Sequence, residues 1–236
     1  MDINKYRYVA HRGIFDNINN FPENSLLAFK EAIRDGYAIE FDVRLTLDEK
    51  IIVFHDLNLK RLTGVNKDVD NCTLSEINKL KLLSTNQSIP TLEEVLDLIN
   101  GSVPIVIEIK NEKSIGTLEK LLMERLKHYK GEYIIESFNP LSIFWIKKHY
   151  SNVNVGQLLS GDGHLFKDYI ARILDIFIKP EFIAYDINFL SEEHKKFCKE
   201  KNIYLFAWTI KTEEELEKAI TLSDAIIFEN TVKIIK

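Results

Sequence analysis

The sequence predicts an α/β fold of the TIM type, a (β/α)8 barrel in which eight parallel strands alternate with helices. Three observations lead to this prediction: the chain length, the number of short strand-like runs, and the helical patterns between them. The chain has 236 residues, of which 45% are hydrophobic, and barrels of about this size commonly fold as one unit. We therefore expect residues 1–236 to form a single barrel domain.

Nine short runs rich in β-branched and aromatic residues alternate with segments of helical pattern. The runs span residues 8–11, 38–43, 51–55, 104–110, 133–138, 153–158, 182–187, 203–209 and 225–228. Three helical segments begin with a threonine that is followed three residues later by glutamate, at Thr73, Thr91 and Thr212. This spacing is the capping-box signature of a helix N-terminus, so it predicts where helices begin between the strands.

The third run is one strand too many for an eight-stranded barrel. Only residues 44–50 separate it from the second run, whereas a parallel crossover needs roughly a dozen residues or more. Residues 51–55 are therefore expected to fold back as an antiparallel hairpin arm. The hairpin begins a small hairpin and helical insertion after the second strand, at about residues 44–103. Its return arm carries His55 towards the C-terminal mouth of the barrel.

Carboxylates occupy positions in two strands where a purely structural barrel would have apolar residues. Side chains alternate between the two faces of a strand, so Glu40 and Asp42 share one face of the second strand while their apolar neighbours share the other. The apolar face belongs against the helices, which turns both carboxylates towards the barrel axis. Glu108 and Lys110 repeat the pattern on the next barrel strand. Three carboxylates are therefore expected to converge.

Three carboxylates in one desolvated volume repel one another unless positive charge compensates, and Lys110 supplies only one charge. A hard divalent cation would complete the balance, and oxygen ligands favour Mg²⁺ or Ca²⁺, with Mn²⁺ also allowed, over zinc. The alternative is that Glu40 pairs with Arg44, or Glu108 with Lys110, in solvated ion pairs at the rim. Inward polar pairs on two neighbouring strands favour the metal site.

Two histidines arrive at the same mouth. His11 ends the first strand and His55 ends the hairpin arm; because imidazole titrates near neutrality, the pair can serve as general acid and base. The guanidinium of Arg12 can donate hydrogen bonds to two oxygens of a phosphate group.

Trp208 ends another strand and is either an apolar wall for a small organic group or an ordinary core tryptophan. The other histidines, including His194, are expected at the surface.

Composition excludes several classes of protein. A net charge of −5 and a pI near 5.8 leave no basic excess for a nucleic-acid partner. No stretch approaches the roughly 18 uninterrupted apolar residues of a membrane span, and the N-terminus lacks the apolar core of a leader peptide. A cytoplasmic protein is expected.

Cys72 and Cys198 lie far apart and are expected to be small buried apolar residues. The oligomeric state cannot be deduced from the sequence.

The chain resembles the glycerophosphodiester phosphodiesterase family in an ordered set of motifs that covers nearly its whole length. The motifs are His11-Arg12-Gly13, Pro22-Glu23-Asn24-Ser25, Glu40-Phe41-Asp42-Val43, Thr46 with Asp48, Val53-Phe54-His55-Asp56, Arg61-Leu62-Thr63-Gly64, Pro90-Thr91-Leu92-Glu93-Glu94-Val95-Leu96, Glu108-Ile109-Lys110, Ser137-Phe138-Asn139-Pro140 and Trp208-Thr209. One position and one segment depart from the family's pattern. Glu49 stands where a glycine is common, and Phe228-Glu229-Asn230-Thr231 replaces the usual Thr-Asp-Xaa-Pro.

The resemblance implies an activity and a set of residue roles. The activity is hydrolysis of a glycerophosphodiester, a small-molecule substrate, to glycerol 3-phosphate and an alcohol. The implied roles are acid/base catalysis by His11 and His55, binding of one Mg²⁺ or Ca²⁺ by Glu40, Asp42 and Glu108, phosphate binding by Arg12 and Lys110, and a glycerol pocket formed by Phe138 and Trp208.

Two other functions are compatible with the same residues. One is phospholipase D-like hydrolysis of lysophospholipid headgroups, which requires an apolar mouth or interfacial surface; the sequence shows no exposed basic-aromatic stripe of that kind. The other is a barrel that binds phosphodiesters without turnover. The sequence also leaves open the preferred headgroup, which histidine is the base, and whether a neighbouring glycerol hydroxyl or water attacks the phosphorus.

Overall fold

The computed structural model describes residues 1–111, 114–161 and 179–229, and these contain nine strands in one sheet. The strands are β1 (Tyr8–His11), β2 (Ala38–Leu45), β3 (Ile51–Val53), β4 (Ile105–Ile109), β5 (Tyr133–Ser137), β6 (Val155–Leu159), β7 (Phe182–Asp186), β8 (Tyr204–Ile210) and β9 (Ala225–Phe228). Parallel pairing of β1 with both β2 and β9 closes an eight-stranded barrel. The predicted (β/α)8 fold is confirmed, with strand ends within two residues of their predicted positions.

The helices of the described residues are α1 (Leu26–Arg34), α2 (Lys60–Thr63), α3 (Leu74–Ile77), α4 (Leu92–Ile99), α5 (Thr117–Leu126), α6 (Pro140–His149), α7 (Glu192–Lys201) and α8 (Glu213–Leu222). The three predicted capping boxes, which begin α3, α4 and α8, all form with both reciprocal hydrogen bonds. His164, one of the histidines expected at the surface, lies outside the described residues.

Two apolar layers flank the barrel wall. Ile39, Phe41 and Val43 lie in the outer layer between the strands and the helices, as the alternation along β2 requires. The interior below the mouth holds a second cluster that includes Val9, Val106, Ile134, Phe206 and Ile227. Side chains of opposite strand faces therefore fill separate layers, and the barrel is a packed core with its open end at the C-terminal ends of the strands.

The insertion after β2 has its own apolar cluster. β3 pairs antiparallel with β2, as predicted, although the strand ends at Val53 and His55 lies beyond it. Residues of β3, α2, α3 and the connecting segments pack together, among them Ile52, Leu62, Val69, Ile77 and Ile89. Asp48 fastens the hairpin tip to this unit, because its Oδ1 accepts hydrogen bonds from Thr46 Oγ1 at 2.7 Å and from the Leu74 N–H at 2.9 Å.

Predictions for isolated residues had mixed outcomes. Cys72 and Cys198 are buried free cysteines, as expected. The surface prediction for His194 was wrong: only 8% of the residue is exposed. The reason is that it caps α7, where Nδ1 accepts from the Ser191 N–H at 3.1 Å, and stacks 4.7 Å from the Tyr185 ring. Among the described residues, no helix is long and apolar enough to cross a membrane.

Candidate active site

Strand register brings the candidate residues to one level at the mouth. In the parallel pairs, His11 lies beside Glu40, Asp42 beside Glu108, and Glu108 beside Glu136. Glu136 is a fourth carboxylate that sequence reasoning missed. The signal was present, since Glu136 interrupts an apolar strand in the same way as Glu40 and Glu108.

The predicted convergence of three carboxylates is observed. Glu40, Asp42 and Glu108 are buried, and each offers an oxygen atom that lies within 4.8 Å of those of the other two. Glu40 Oε2 accepts a hydrogen bond from the Arg12 N–H at 3.0 Å, but Oε1 has no hydrogen-bond partner among the described residues. A buried carboxylate oxygen without a partner is costly. Hard divalent cations take oxygen donors of this kind, so the donor set fits such an ion.

The protonation of these groups reflects burial and mutual repulsion. Burial, followed by repulsion from the neighbouring carboxylates, raises the pKa of Glu40 well above its ordinary value. Burial likewise raises the pKa of Glu108 to about 7, despite the attraction of Lys110, and raises that of Glu136 strongly. At Asp42 burial acts in the same direction, but the charges of Arg12 and Lys110 outweigh it and lower the pKa. The cluster therefore needs added positive charge to become fully ionised.

The loop after β1 supports the cluster from one side. Arg12 donates from Nη1 to Glu23 Oε1 at 2.7 Å, and its Nε lies 3.3 Å from Asp42 Oδ2. Asn24 donates from Nδ2 to Asp42 Oδ2 at 2.8 Å. Burial tends to raise the pKa of Glu23, but hydrogen bonds from Arg61 and the charge of Arg12 lower it to about 2. No role was predicted for Glu23 or Asn24, although their motif was recognised.

Backbone geometry at this loop depends on a glycine. Arg12 and Gly13 have φ values of 55° and 80°, in the left-handed region. A Cβ atom on Gly13 would lie 2.8 Å from the backbone of Ala28 in α1, which is too close for any other residue. Gly13 therefore lets the loop pass against α1 and turn Arg12 towards the mouth.

His11 is held by a carboxylate that directly follows the last barrel strand. Its Nδ1 lies 3.2 Å from Glu229 Oε1, and its Nε2 lies 3.9 Å from Glu40 Oε2. Glu229 also lies 3.1 Å from Lys211 Nζ. Burial favours a higher pKa for Glu229, but His11 and Lys211 outweigh it and lower the pKa. The ionised carboxylate can only accept, so Nδ1 carries the proton. Burial lowers the pKa of His11 to about 4.

His55, which lies beyond β3, has an equivalent arrangement. Its Nδ1 lies 2.7 Å from Asp56 Oδ1, and Asp56 Oδ2 accepts from Arg61 Nε at 2.6 Å. Arg44 donates from Nε to the backbone carbonyl of His55 at 2.7 Å, so it fixes the hairpin arm. Burial lowers the pKa of His55. Both histidines therefore have a carboxylate at Nδ1, which leaves Nε2 for proton transfer.

The remaining predicted residues line a pocket of about 270 Å³ at the mouth, together with the histidines and Glu136. The rings of Phe138 and Trp208 meet edge to face with centroids 5.5 Å apart. Lys110 Nζ lies 2.7 Å from Glu108 Oε1, 3.4 Å from Asp42 Oδ1 and 5.7 Å from the centre of the Phe138 ring. The Glu108–Lys110 ion pair is therefore present, but it lies inside the carboxylate cluster and not at a solvated rim.

Comparison with known proteins adds independent evidence. Residues 11–233 match the Glycerophosphoryl diester phosphodiesterase family. A glycerophosphodiester phosphodiesterase of Caldanaerobacter subterraneus subsp. tengcongensis is 34% identical over 90% of this chain and 88% of its own length. Lysophospholipase D GDPD1 of Rattus norvegicus is 32% identical over 65% of this chain and 51% of its own length.

Solved structures show the same fold. A phosphodiesterase of Oleispira antarctica, solved in complex with the product sn-glycerol-3-phosphate, superposes with a TM-score of 0.83 at 21% identity, covering 95% of this chain and 93% of its own. The match to the family at residues 11–233 spans nearly the whole chain and includes every candidate residue described above. The chain therefore belongs to the glycerophosphoryl diester phosphodiesterase family.

Proposed function

We propose that the chain is a metal-dependent phosphodiesterase that hydrolyses glycerophosphodiesters to glycerol 3-phosphate and an alcohol. One observation carries the proposal: a buried cluster of three carboxylates opens into a pocket flanked by two histidines, each with its Nδ1 held by a carboxylate. Metal ligands beside an acid/base pair form an arrangement that can hydrolyse a phosphodiester. Membership of the family supports the substrate class.

Glu40, Asp42 and Glu108 are the proposed metal ligands. Mg²⁺ and Ca²⁺ are the expected ions, with Mn²⁺ also compatible, because every donor is a carboxylate oxygen. When bound, such an ion offsets the repulsion among the carboxylates and serves as a Lewis acid towards phosphoryl oxygens. The unpartnered Glu40 Oε1 and the repulsion of Glu40 by Asp42 and Glu108 support this assignment, because a bound cation would give the oxygen a partner and offset the repulsion.

His11 and His55 are the proposed acid and base. With Nδ1 protonated and directed at a carboxylate, each ring presents Nε2 as its proton-transfer atom. One histidine takes the proton from the attacking oxygen and the other delivers a proton to the departing alcohol oxygen. Two routes fit the arrangement: attack by the adjacent glycerol hydroxyl, with later opening of a cyclic phosphate by water, or direct attack by water.

Arg12 and Lys110 are the proposed phosphate-binding cations, and Phe138 and Trp208 the walls of the glycerol pocket. All four line the same pocket. Arg12 already contacts Glu23 and Asp42, so its charge is held in place before substrate arrives. The two aromatic rings form an apolar edge beside Lys110, which suits the carbon skeleton of a glycerol unit next to an anionic group.

The decisive experiment is a panel of glycerophosphodiesters assayed for glycerol 3-phosphate release. Glycerophosphocholine, glycerophosphoethanolamine, glycerophosphoglycerol and glycerophosphoinositol would each be tested with Mg²⁺, Ca²⁺ and Mn²⁺ added to metal-stripped protein. We expect release that requires a divalent ion. Tight binding of these compounds without turnover would contradict the proposal and favour a phosphodiester-binding protein, and turnover in metal-free protein would remove the metal assignment.

One observation favours a second candidate, hydrolysis of lysophospholipid headgroups. Exposed apolar side chains follow the C-terminal ends of four barrel strands, the end at which the mouth lies: Ile18 and Leu141, which are 93% and 60% exposed, and Leu47, Phe138 and Phe189. Such a rim can contact acyl chains. Comparing lysophosphatidylcholine with glycerophosphocholine separates the two activities, because only the second candidate predicts faster turnover of the acylated substrate.

A further inference from the structure

Arg61, on the short helix α2 of the insertion, lies between two carboxylates. It donates from Nη1 and Nη2 to the two oxygens of Glu23, at 2.9 and 2.7 Å. It also donates from Nε and Nη2 to the two oxygens of Asp56, at 2.6 and 3.1 Å. The guanidinium thus makes a two-point contact with each carboxylate. A lysine could not reproduce both contacts, because its ammonium is a single point charge.

The two carboxylates belong to different segments of the candidate active site: Asp56 follows the hairpin arm, and Glu23 lies in the loop after β1. Asp56 holds Nδ1 of His55, and Glu23 accepts from Arg12. Arg12 in turn donates its backbone N–H to Glu40. Arg61 therefore completes a continuous series of contacts from one proposed catalytic histidine to the proposed metal ligands. It is not among the pocket-lining residues of the described chain, so it acts through its neighbours and not on substrate.

We infer that Arg61 is a positioning residue that holds the hairpin arm bearing His55 and the loop after β1 in one catalytic arrangement. The inference rests on the proposed function of His55. It also gives the insertion a role in the reaction, because α2 lies in the insertion and carries Arg61, which contacts Asp56 and Glu23. Loss of such an outer contact typically costs about 10- to 100-fold in activity.

The test combines kinetics with the tautomeric state of His55. Arg61→Lys and Arg61→Ala would be compared with wild-type protein under the metal condition that gives the fastest turnover. The matched control is Arg125→Ala, because Arg125 is an exposed arginine paired with Glu93 at 2.7 Å far from the mouth in the fold. Imidazole ¹⁵N chemical shifts of His55, measured where the ring is neutral, report which nitrogen carries the proton. Thermal unfolding shows whether each variant is folded. If Arg61→Ala does not fold, the kinetic and tautomer measurements are made on Arg61→Lys.

We expect kcat to fall about 10- to 100-fold in both Arg61 variants, with KM little changed, since Arg61 does not touch substrate. His55 should change from the Nδ1–H form to a mixture of tautomers, and added guanidinium ion should partly restore kcat in Arg61→Ala. Wild-type kcat in a folded variant, or an unchanged tautomer, would overturn the inference. If wild-type protein hydrolyses no glycerophosphodiester, the proposed function fails, while the tautomer comparison still decides the role of Arg61.

Discussion

His11 and Glu229 are 218 residues apart in the chain, yet Nδ1 of His11 lies 3.2 Å from Oε1 of Glu229. The contact exists because β9 pairs with β1 as the barrel closes. Glu229 belongs to the segment that departs from the family's usual closing motif, in which an aspartate is common. The departure therefore keeps a carboxylate beside the histidine. Asn230, which follows it, lies outside the described residues.

Removing either histidine should separate catalysis from folding. His11→Ala and His55→Ala are each expected to lower turnover of glycerophosphodiesters by about 10²–10⁴-fold, the usual contribution of a general acid or base. Steady-state kinetics measures the loss, and circular dichroism with thermal unfolding checks the fold. His128→Ala is the matched control, because His128 is exposed in the turn that follows α5. Undiminished turnover in a folded His11 or His55 variant would refute the assignment.

Neutralising one proposed ligand should weaken metal binding. Glu40→Gln keeps the size of the side chain but removes a carboxylate from the cluster, so affinity for Mg²⁺ or Ca²⁺ should fall by at least the roughly 10- to 100-fold loss that changes around a metal site cause. Titration calorimetry on metal-stripped protein measures the affinity. Glu93→Gln, an exposed glutamate paired with Arg125, is the control and should bind as wild type does. Equal affinity in Glu40→Gln would exclude Glu40 as a ligand.

Glu108 should destabilise the metal-free protein progressively as pH rises. The pKa of Glu108 is raised to about 7 in the folded chain, so between its unfolded value near 4.5 and about 7 this carboxyl group binds more protons in the folded state than in the unfolded state. Its contribution to the free energy of unfolding therefore decreases through this window, by on the order of a few kcal/mol. His11 acts in the opposite direction, because its pKa is lowered to about 4 in the folded chain, so comparison with Glu108→Gln isolates the contribution of Glu108.

Bound divalent metal should remove most of that decrease, because it favours the ionised carboxylates. Urea unfolding at about pH 5 and pH 8, with and without metal, tests this linkage. Metal should stabilise the protein more at the higher pH. Glu108→Gln, which cannot titrate at this position, should show a shallower pH dependence. A metal-induced gain that is the same at both pH values would contradict the prediction.

The hairpin tip offers a stability test away from catalysis. Glu49, the second departure from the family's pattern, has a φ of 56°, a left-handed conformation that costs most residues about 1–2 kcal/mol. Glu49→Gly should relieve this strain and raise the free energy of unfolding by about 0.5–1 kcal/mol after the added flexibility of the unfolded chain is included. Lys50→Gly is the control and should lower the free energy of unfolding. If both variants lower the free energy equally, backbone strain at Glu49 is not significant.

Much of the fold was predictable because its signals are local. Strand runs, helix caps and the short spacing before residue 51 each depend on a few consecutive residues, and together they gave the barrel and its hairpin. The carboxylates of β2 were placed correctly because alternation along a strand is fixed by backbone geometry. Glu136 obeys the same rule. His194 was assigned to the surface although Ser191, three residues earlier, is a local capping signal; its contact with the Tyr185 ring on β7 depends on the tertiary structure.

By itself the sequence determined the strand count, the antiparallel hairpin, the family, and which side chains face the barrel axis. The location in the cytoplasm, the lack of a nucleic-acid partner and the single-domain organisation stay predictions. Only the tertiary structure decided that Glu229 meets His11 and that Arg61 joins Asp56 to Glu23. The physical reason is that loops from distant parts of the chain meet only after the barrel closes, and no local periodicity encodes which of their side chains come within hydrogen-bonding distance.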